Sequence, residues 1–139
     1  MNKKNLTTFP NSETLALAFA NHFAQKADEA IRTRGRFLAV LSGGGTPLKS
    51  YRLLAQEPFK SQVDWAKVHL FWGDERFVPH DDPQSNFYQA KEALLDHVNI
   101  PAENLHPMPT ELSPREAVDA YRQVLSSFSE PSRNHIRFD

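Results

Sequence analysis

Apolar residues at Leu15, Phe19, Phe23, Ala27 and Ala30/Ile31 recur at spacings of three and four, predicting a long amphipathic helix opened by Asn11 or Ser12 and running to about Thr33. Gly35 supplies its stop. Phe37–Leu41 breaks the helical period with an unbroken apolar run, as expected of a strand buried on both faces of a parallel sheet. After Ser42-Gly43-Gly44-Gly45-Thr46-Pro47 the helical spacing returns at Leu48, Tyr51, Leu54 and Ala55, with Pro47 suited to the first helical position. Gln56–Gln62 reads as a loop, and Val68–Trp72 as a second short buried strand that ends in Gly73-Asp74-Glu75-Arg76. The two prolines and the polar group His80-Asp81-Asp82 make Phe77–Gln84 a loop, after which Ser85 or Asn86 opens a helix to about His97 with Phe87, Ala90, Leu94 and Val98 inward. Asn104–Pro109 has room for one short edge strand. Ser113-Pro114-Arg115-Glu116 is a capping box that opens a helix to about Phe128, Ser126–Asn134 is a polar loop, and Ile136–Asp139 begins another strand.

This alternation of strand and helix predicts an α/β domain with a largely parallel sheet, in which ligands gather beyond the carboxyl ends of the strands. Both unusual segments, Ser42–Pro47 and Gly73–Arg76, fall at that edge. The length of 139 residues suits one domain. Sixteen Lys and Arg against seventeen Asp and Glu, with neither sign in a long block, argue against general attraction to nucleic acid or an acidic membrane. Cysteine is absent, which excludes disulfides, thiolate nucleophiles and zinc-thiolate sites and fits a reducing compartment. The longest apolar run, Leu15–Ala20, is too short to span a bilayer or to serve as a signal-peptide core, and polar residues follow Met1–Lys4; the expectation is a soluble, cytoplasmic protein.

The glycine turn offers N–H groups unobstructed by Cβ atoms beside a helix amino end whose dipole favours an anion, so it suits a phosphate; a tight strand-to-helix turn without ligand is the other reading. It is not a Walker A loop, since no Gly-Lys-Ser/Thr follows, and the third glycine of a dinucleotide fingerprint is replaced by Leu48. Arg76 has the planar fork to grip a phosphate or carboxylate or to stabilise a developing oxyanion, and Asp74 or Glu75 has the chemistry to accept a proton or orient a donor. The alternative for this trio is a structural ion pair at a strand end. His80 with Asp81 and Asp82 reads as a solvated loop rather than a metal site, because adjacent residues seldom point at one ion. His69 reads as a hydrogen-bonded, half-buried histidine, and His22, His97, His106 and His135 take surface or packing roles.

Three segments, Leu41–Pro47, Phe71–Pro79 and Asp82–Phe87, closely resemble the 6-phosphogluconolactonases in order and spacing. The Trp-Gly-Asp-Glu-Arg form sets them apart from the related glucosamine-6-phosphate deaminases, where Asp-Glu-Tyr is usual. The resemblance implies a three-layer α/β/α, Rossmann-like fold and hydrolysis of 6-phosphoglucono-δ-lactone, a chemistry that needs no metal or organic cofactor. It also implies Asp74 and Arg76 as catalytic residues, with Ser42, Gly43, Gly44, Gly45, Thr46, Glu75 and Asn86 binding the substrate. Members of that family are longer and carry, after a strand matching the one that opens at Ile136, a Gly-x-Asp-Gly-His-x-Ala-Ser motif whose histidine is the expected general base. These 139 residues contain no Asp-Gly-His. The expectation is therefore a single incomplete domain, the amino-terminal portion of the lactonase fold, that binds a small sugar phosphate and has an apolar edge covered by self-association or a complementary chain. Loss of a positioned base lowers rates by roughly 10²–10⁴. A catalytically silent sugar-phosphate binder or assembly module, and a glucosamine-6-phosphate deaminase-like enzyme, are the alternative readings.

Overall fold

The computed structural model describes residues 6–132 and 135–139; the Met1–Lys4 start, and residues 133–134 of the expected polar loop, lie outside the described residues. Helix α1 (Ser12–Arg34) begins where the Asn11 side chain accepts from Thr14 N–H and ends at Gly35, whose φ of 78° suits a residue without Cβ. Strand β1 (Phe37–Leu41) leads into α2 (Gly45–Leu54), then a single turn α3 (Phe59–Gln62), and strand β2 (Val68–Trp72). Helix α4 (Asn86–Ala93), strand β3 (Leu105–His106) and helix α5 (Pro114–Ser127) complete the order. The three strands are parallel in the order β1-β2-β3, with Phe37 level with Val68 and Leu41 with Trp72. This is an α/β fold with a parallel sheet.

Strand alternation divides the sheet into two unlike faces. Phe37, Leu41, Val68, Leu70 and Trp72 join Phe23, Tyr51, Leu54, Trp65 and Leu94 in one core beneath α1, α2 and α4. Each such large side chain contributes on the order of 1.5–3 kcal/mol by leaving water. On the opposite face Phe71 packs edge-on against Phe128 and Phe138, with ring centroids 5.2 Å away in both cases, and stacks on His106 at 4.5 Å. Helix α5 carries the expected capping box between Ser113 and Glu116, but none of its residues is buried.

Four expectations are corrected by packing. The inward stripe of α1 is Ala16, Ala20, Phe23, Ala27 and Ala30, while Leu15 and Phe19 lie at its exposed flank; alanines let neighbouring backbones approach closely, which a reading weighted to bulky residues misses. Strand β1 is not buried on both faces, because Val40 points to the thinly covered side and is 42% exposed. The Gln56–Gln62 segment contains α3, formed as Phe59 and Val63, four residues apart, both enter the core. Helix α4 stops at Ala93, and a 3₁₀ turn at Leu95–His97 follows, so that the adjacent Leu94 and Leu95 are both buried. Among the described residues no helix is long and apolar enough to cross a membrane.

His69 and His106, side by side on β2 and β3, share a 3.2 Å contact between Nδ1 and Nε2 with nearly parallel rings. Burial holds both rings below the ordinary histidine value of 6.5, with Arg36 adding to the effect on His69 and His69 to that on His106. In the unfolded chain both recover the ordinary value, so below 6.5 the unfolded state binds more protons and stability falls as the pH drops through the lowered folded values. Thermal melts from near neutrality to about pH 5 should show this loss, and His106→Phe should flatten it; a melting temperature equally pH-dependent in both proteins would exclude the pair as the cause.

Candidate functional site

The two turns singled out above leave neighbouring parallel strands at the same end of the sheet, since Leu41 and Trp72 are level in register. Gly73 N–H extends the ladder one residue further by donating to Leu41 C=O at 3.0 Å. A Cβ at Gly73 would stand 3.3 Å from Val40 Cγ1, so the second turn begins where only a small residue fits without displacement.

In the first turn Gly44, with φ of 110°, serves as the cap of α2, and the helix starts at Gly45. Pro47 is thus its third residue rather than its first. The change has a chemical consequence: a proline there removes one of the amino-terminal donors, and the first intrahelical bond runs from Leu48 N–H to Gly44 C=O at 3.2 Å. The N–H groups of Gly43, Gly44, Gly45 and Thr46 have no partner among the described residues, and Gly44, Gly45 and Thr46 are exposed. Ser42 differs. Its N–H donates to Tyr51 Oη at 3.0 Å and its C=O accepts from the same hydroxyl at 2.9 Å, so its backbone is committed internally.

In the second turn the three adjacent charges have different fates. Glu75 turns inward: Oε1 accepts from Arg76 N–H (2.7 Å) and Asn86 N–H (2.6 Å), and Oε2 from Phe87 N–H (3.0 Å) and Ser85 Oγ (3.1 Å). Four donors occupy the four lone-pair positions of a carboxylate, and the negative charge sits at the amino end of α4 where the helix dipole favours it. In this structure Glu75, expected to bind ligand, is engaged by four internal donors that hold α4 against the turn. Asp74 and Arg76 remain exposed, and neither forms an ion pair among the described residues, which removes the alternative of a structural ion pair for Arg76.

Asn86 joins the two turns. It is buried at 5% exposure, and its Nδ2 donates to Asp74 C=O at 3.1 Å and lies 3.4 Å from Asp74 Oδ1. On its other side a Cβ at position 43 would fall 2.1 Å from Asn86 Oδ1, so the side chain occupies space that only glycine leaves open. Asn86, expected to bind substrate, is buried here and stands between Gly43 and Asp74. The result is an exposed guanidinium, an exposed carboxylate and a row of free N–H groups at one sheet end, a set suited to an anionic, hydroxyl-bearing ligand.

Three features were missed in the sequence. Tyr121 Oη, from α5, accepts from Trp72 N–H at 3.0 Å and donates to Trp72 C=O at 3.1 Å, repeating at β2 what Tyr51 does next to β1. Burial raises both phenols above their ordinary value. His80 Nε2 lies 2.7 Å from Met108 C=O, and the ring packs on Phe87, tying the loop after Arg76 to the 107–110 segment. An apolar groove of about 450 Å³, lined in part by Phe77, Val118, Tyr121 and Leu125, runs beside Glu75. Tyr51 lay on a predicted helical stripe and so read as core; for Tyr121 and His80 no local signal distinguishes the partner.

Residues 10–139 match the family model described as glucosamine-6-phosphate isomerases/6-phosphogluconolactonase. The chain is 40% identical over 136 residues to a 6-phosphogluconolactonase of Mycobacterium tuberculosis, covering 94% of this chain and 54% of that protein. It is 40% identical over 127 residues to one from Nostoc, with 91% and 51% coverage. The crystal structure of a 6-phosphogluconolactonase from Thermotoga maritima superposes with a TM-score of 0.76 at 31% identity, over 89% of this chain and 52% of the other. The chain spans about half the length of the curated relatives it matches.

The geometry separates the roles of neighbouring residues. Gly43→Ala drives a methyl group into Asn86 and should lower stability to urea by about 1–3 kcal/mol. Glu75→Ala removes the acceptor of the Asn86 and Phe87 N–H groups at the start of α4, whose Ser85 cap remains, and should lower it by about 1–2 kcal/mol. Asp74→Asn, on the exposed side, should stay within about 0.5 kcal/mol of the parent; equal losses in the Glu75 and Asp74 variants would refute the division drawn between them.

Proposed function

The chain belongs to the glucosamine-6-phosphate isomerase/6-phosphogluconolactonase family, and on that premise we propose that it carries the substrate-holding part of a 6-phosphogluconolactonase site. The reaction is hydrolysis of 6-phospho-D-glucono-1,5-lactone to 6-phosphogluconate in the pentose phosphate pathway. The observation that carries this reading is the Asn86 side chain, which fits against Gly43 while bonding Asp74 and so supports a single cradle built from both turns.

Water adds to the lactone carbonyl carbon, a tetrahedral oxyanion forms, and the ring ester bond breaks with proton delivery to the departing ring oxygen. The chain's part is electrostatic. The N–H groups of Gly43–Thr46, at the positive end of α2, suit an anionic oxygen, and the Arg76 guanidinium suits a second, so phosphate and oxyanion are both served. Asp74, beside them and free of any cation, is placed to accept from water or a sugar hydroxyl. The histidine base implied by the resemblance has no counterpart in these 139 residues, so proton abstraction is assigned to no group here. Cytoplasmic operation without a metal or organic cofactor completes the reading, in keeping with the absence of cysteine.

Two measurements test the proposal. Titration calorimetry with 6-phosphogluconate should give saturable heat that Arg76→Ala weakens by about tenfold or more, as expected for loss of a charge-assisted contact; lactone hydrolysis by the isolated chain should lie about 10²–10⁴ below that of a complete site. Absence of saturation at millimolar ligand, or an Arg76 variant that binds as the parent does, refutes it, and ammonia release from glucosamine 6-phosphate would redirect it to deamination. We further infer that a second copy or a complementary chain covers the open side of β1, where Val40, Phe19 and Leu15 are exposed. Sedimentation of the isolated chain should then show concentration-dependent association that Val40→Lys suppresses, and a strict monomer for both would remove this inference.

A further inference from the structure

In a strand, the N–H and C=O of one residue point to the same edge, and alternate residues point to opposite edges. On β1, Leu38 faces away from β2: its N–H donates to Asp139 Oδ2 at 2.9 Å, and its C=O accepts from Asp139 N–H at 3.0 Å. Val40 and Ser42 face the same way, since the residue between them, Leu41, accepts from Gly73 on the β2 side. On β2, Gly73 points to β1, so Trp72 points toward β3, which ends at His106 before Pro107. Ser42 thus has no strand to supply its next rung, while at Trp72 the ladder gives out half-way: the Phe71–His106 register brings His106 C=O beside the Trp72 N–H, but no rung beyond His106 supplies a donor to the Trp72 C=O.

Each is completed by one phenol. Tyr51 Oη bridges the N–H and C=O of Ser42, and Tyr121 Oη bridges those of Trp72, in every case at 2.9–3.1 Å. The two rings approach from opposite sides of the sheet, Tyr51 within the core of α1, α2 and α4, and Tyr121 from α5. A hydroxyl that both donates and accepts is the smallest side-chain group that replaces a peptide unit in this way. Both phenols act on the residue at which the chain leaves the sheet, immediately before the free N–H groups of Gly43–Thr46 and two residues before Asp74.

We propose that Tyr51 and Tyr121 are positioning residues for ligand binding, two hydroxyl clamps that end the β1 and β2 ladders and thereby fix where the glycine turn and the Asp74–Arg76 turn point. The proposal rests on the sugar-phosphate reading for the identity of the ligand, and on geometry alone for the clamps. The clamps act independently, one per turn. Loss of the Tyr51 hydroxyl leaves the Ser42 N–H and C=O without their partner, loss of the Tyr121 hydroxyl leaves the Trp72 C=O without its donor and its N–H with the strand-end carbonyl of His106 alone, and each frees the turn that follows.

The test uses the wild-type chain, Tyr51→Phe, Tyr121→Phe and a control, Val63→Ala, which opens the core away from both turns. Amide hydrogen exchange is read residue by residue, and 6-phosphogluconate affinity is measured by calorimetry well below the melting temperature. In the wild type, the Ser42 and Trp72 amides should exchange much more slowly than that of Gly44. Tyr51→Phe should speed exchange at Ser42 about tenfold or more without affecting Trp72, Tyr121→Phe should do the reverse, and each should weaken binding by about tenfold. Val63→Ala should lower the melting temperature and leave both exchange at the turns and affinity unchanged. Ser42 and Trp72 amides as fast as Gly44 in the wild type, or exchange that ignores the lost hydroxyls, would overturn the clamps whatever the ligand does. Equal weakening of binding by Val63→Ala would reduce the tyrosines to general stabilisers and overturn the positioning role. A wild-type chain that takes up no 6-phosphogluconate overturns the sugar-phosphate reading instead, since the exchange measurements still decide the clamps.

Discussion

The Asn86 carboxamide, fitted into the space that Gly43 leaves open and bonded to Asp74, is the contact on which the carboxyl end of the sheet depends. It is held there from behind. Glu75 accepts from the Asn86 and Phe87 N–H groups and from Ser85, so the helix that carries Asn86 is fastened to the turn that Asn86 touches. Three stretches far apart in the chain thus close one loop of contacts, and a change in any of them is felt by the other two. Burial gives this polar arrangement its strength, because each donor and acceptor that lost water has gained a partner.

The same arrangement decides which charges face solvent. Asp74, Glu75 and Arg76 are consecutive, yet the middle residue turns under the chain to meet α4 while its neighbours stay outside. Glu75 is a stabiliser because a helix amino end and four donors surround it. Asp74 and Arg76 keep their chemistry available because no opposite charge engages them among the described residues. On the glycine side, Pro47 at the third helical position and the absence of a capping side chain leave a short row of amides unpaired. The proposed anion site rests on what the local structure declines to satisfy as much as on what it provides.

The two sheet faces are built to different standards. One is closed by α1, α2 and α4 over a continuous apolar core, and it sets the register that brings Leu41 level with Trp72. The other has Phe71 sheltered by Phe128 and Phe138, a histidine pair in place of aliphatic residues, and Val40 exposed at the rim. Rigidity at the site therefore comes from the first face and from the hydroxyl contacts at the strand ends, rather than from uniform burial.

Much of this was legible along the chain. The limits of α1, β1, β2 and α5, the capping box at Ser113 and the placing of both turns at strand ends follow from local rules, since caps, strand runs and turn residues act over a few positions. The resemblance carried by the three motifs likewise requires only their order and spacing. Partnership was decided elsewhere. That Glu75 is enclosed by donors while Asp74 is exposed, that Ala16 and Ala20 rather than Leu15 face inward, and that the Tyr51 and Tyr121 hydroxyls meet Ser42 and Trp72 all depend on residues distant in the chain, the hydrogen-bonded partners lying from 9 to 49 positions apart. Hydrogen-bond saturation and helix rotation are properties of the packed whole, because a carboxylate or a hydroxyl has the same local sequence signature whether its lone pairs meet protein or water.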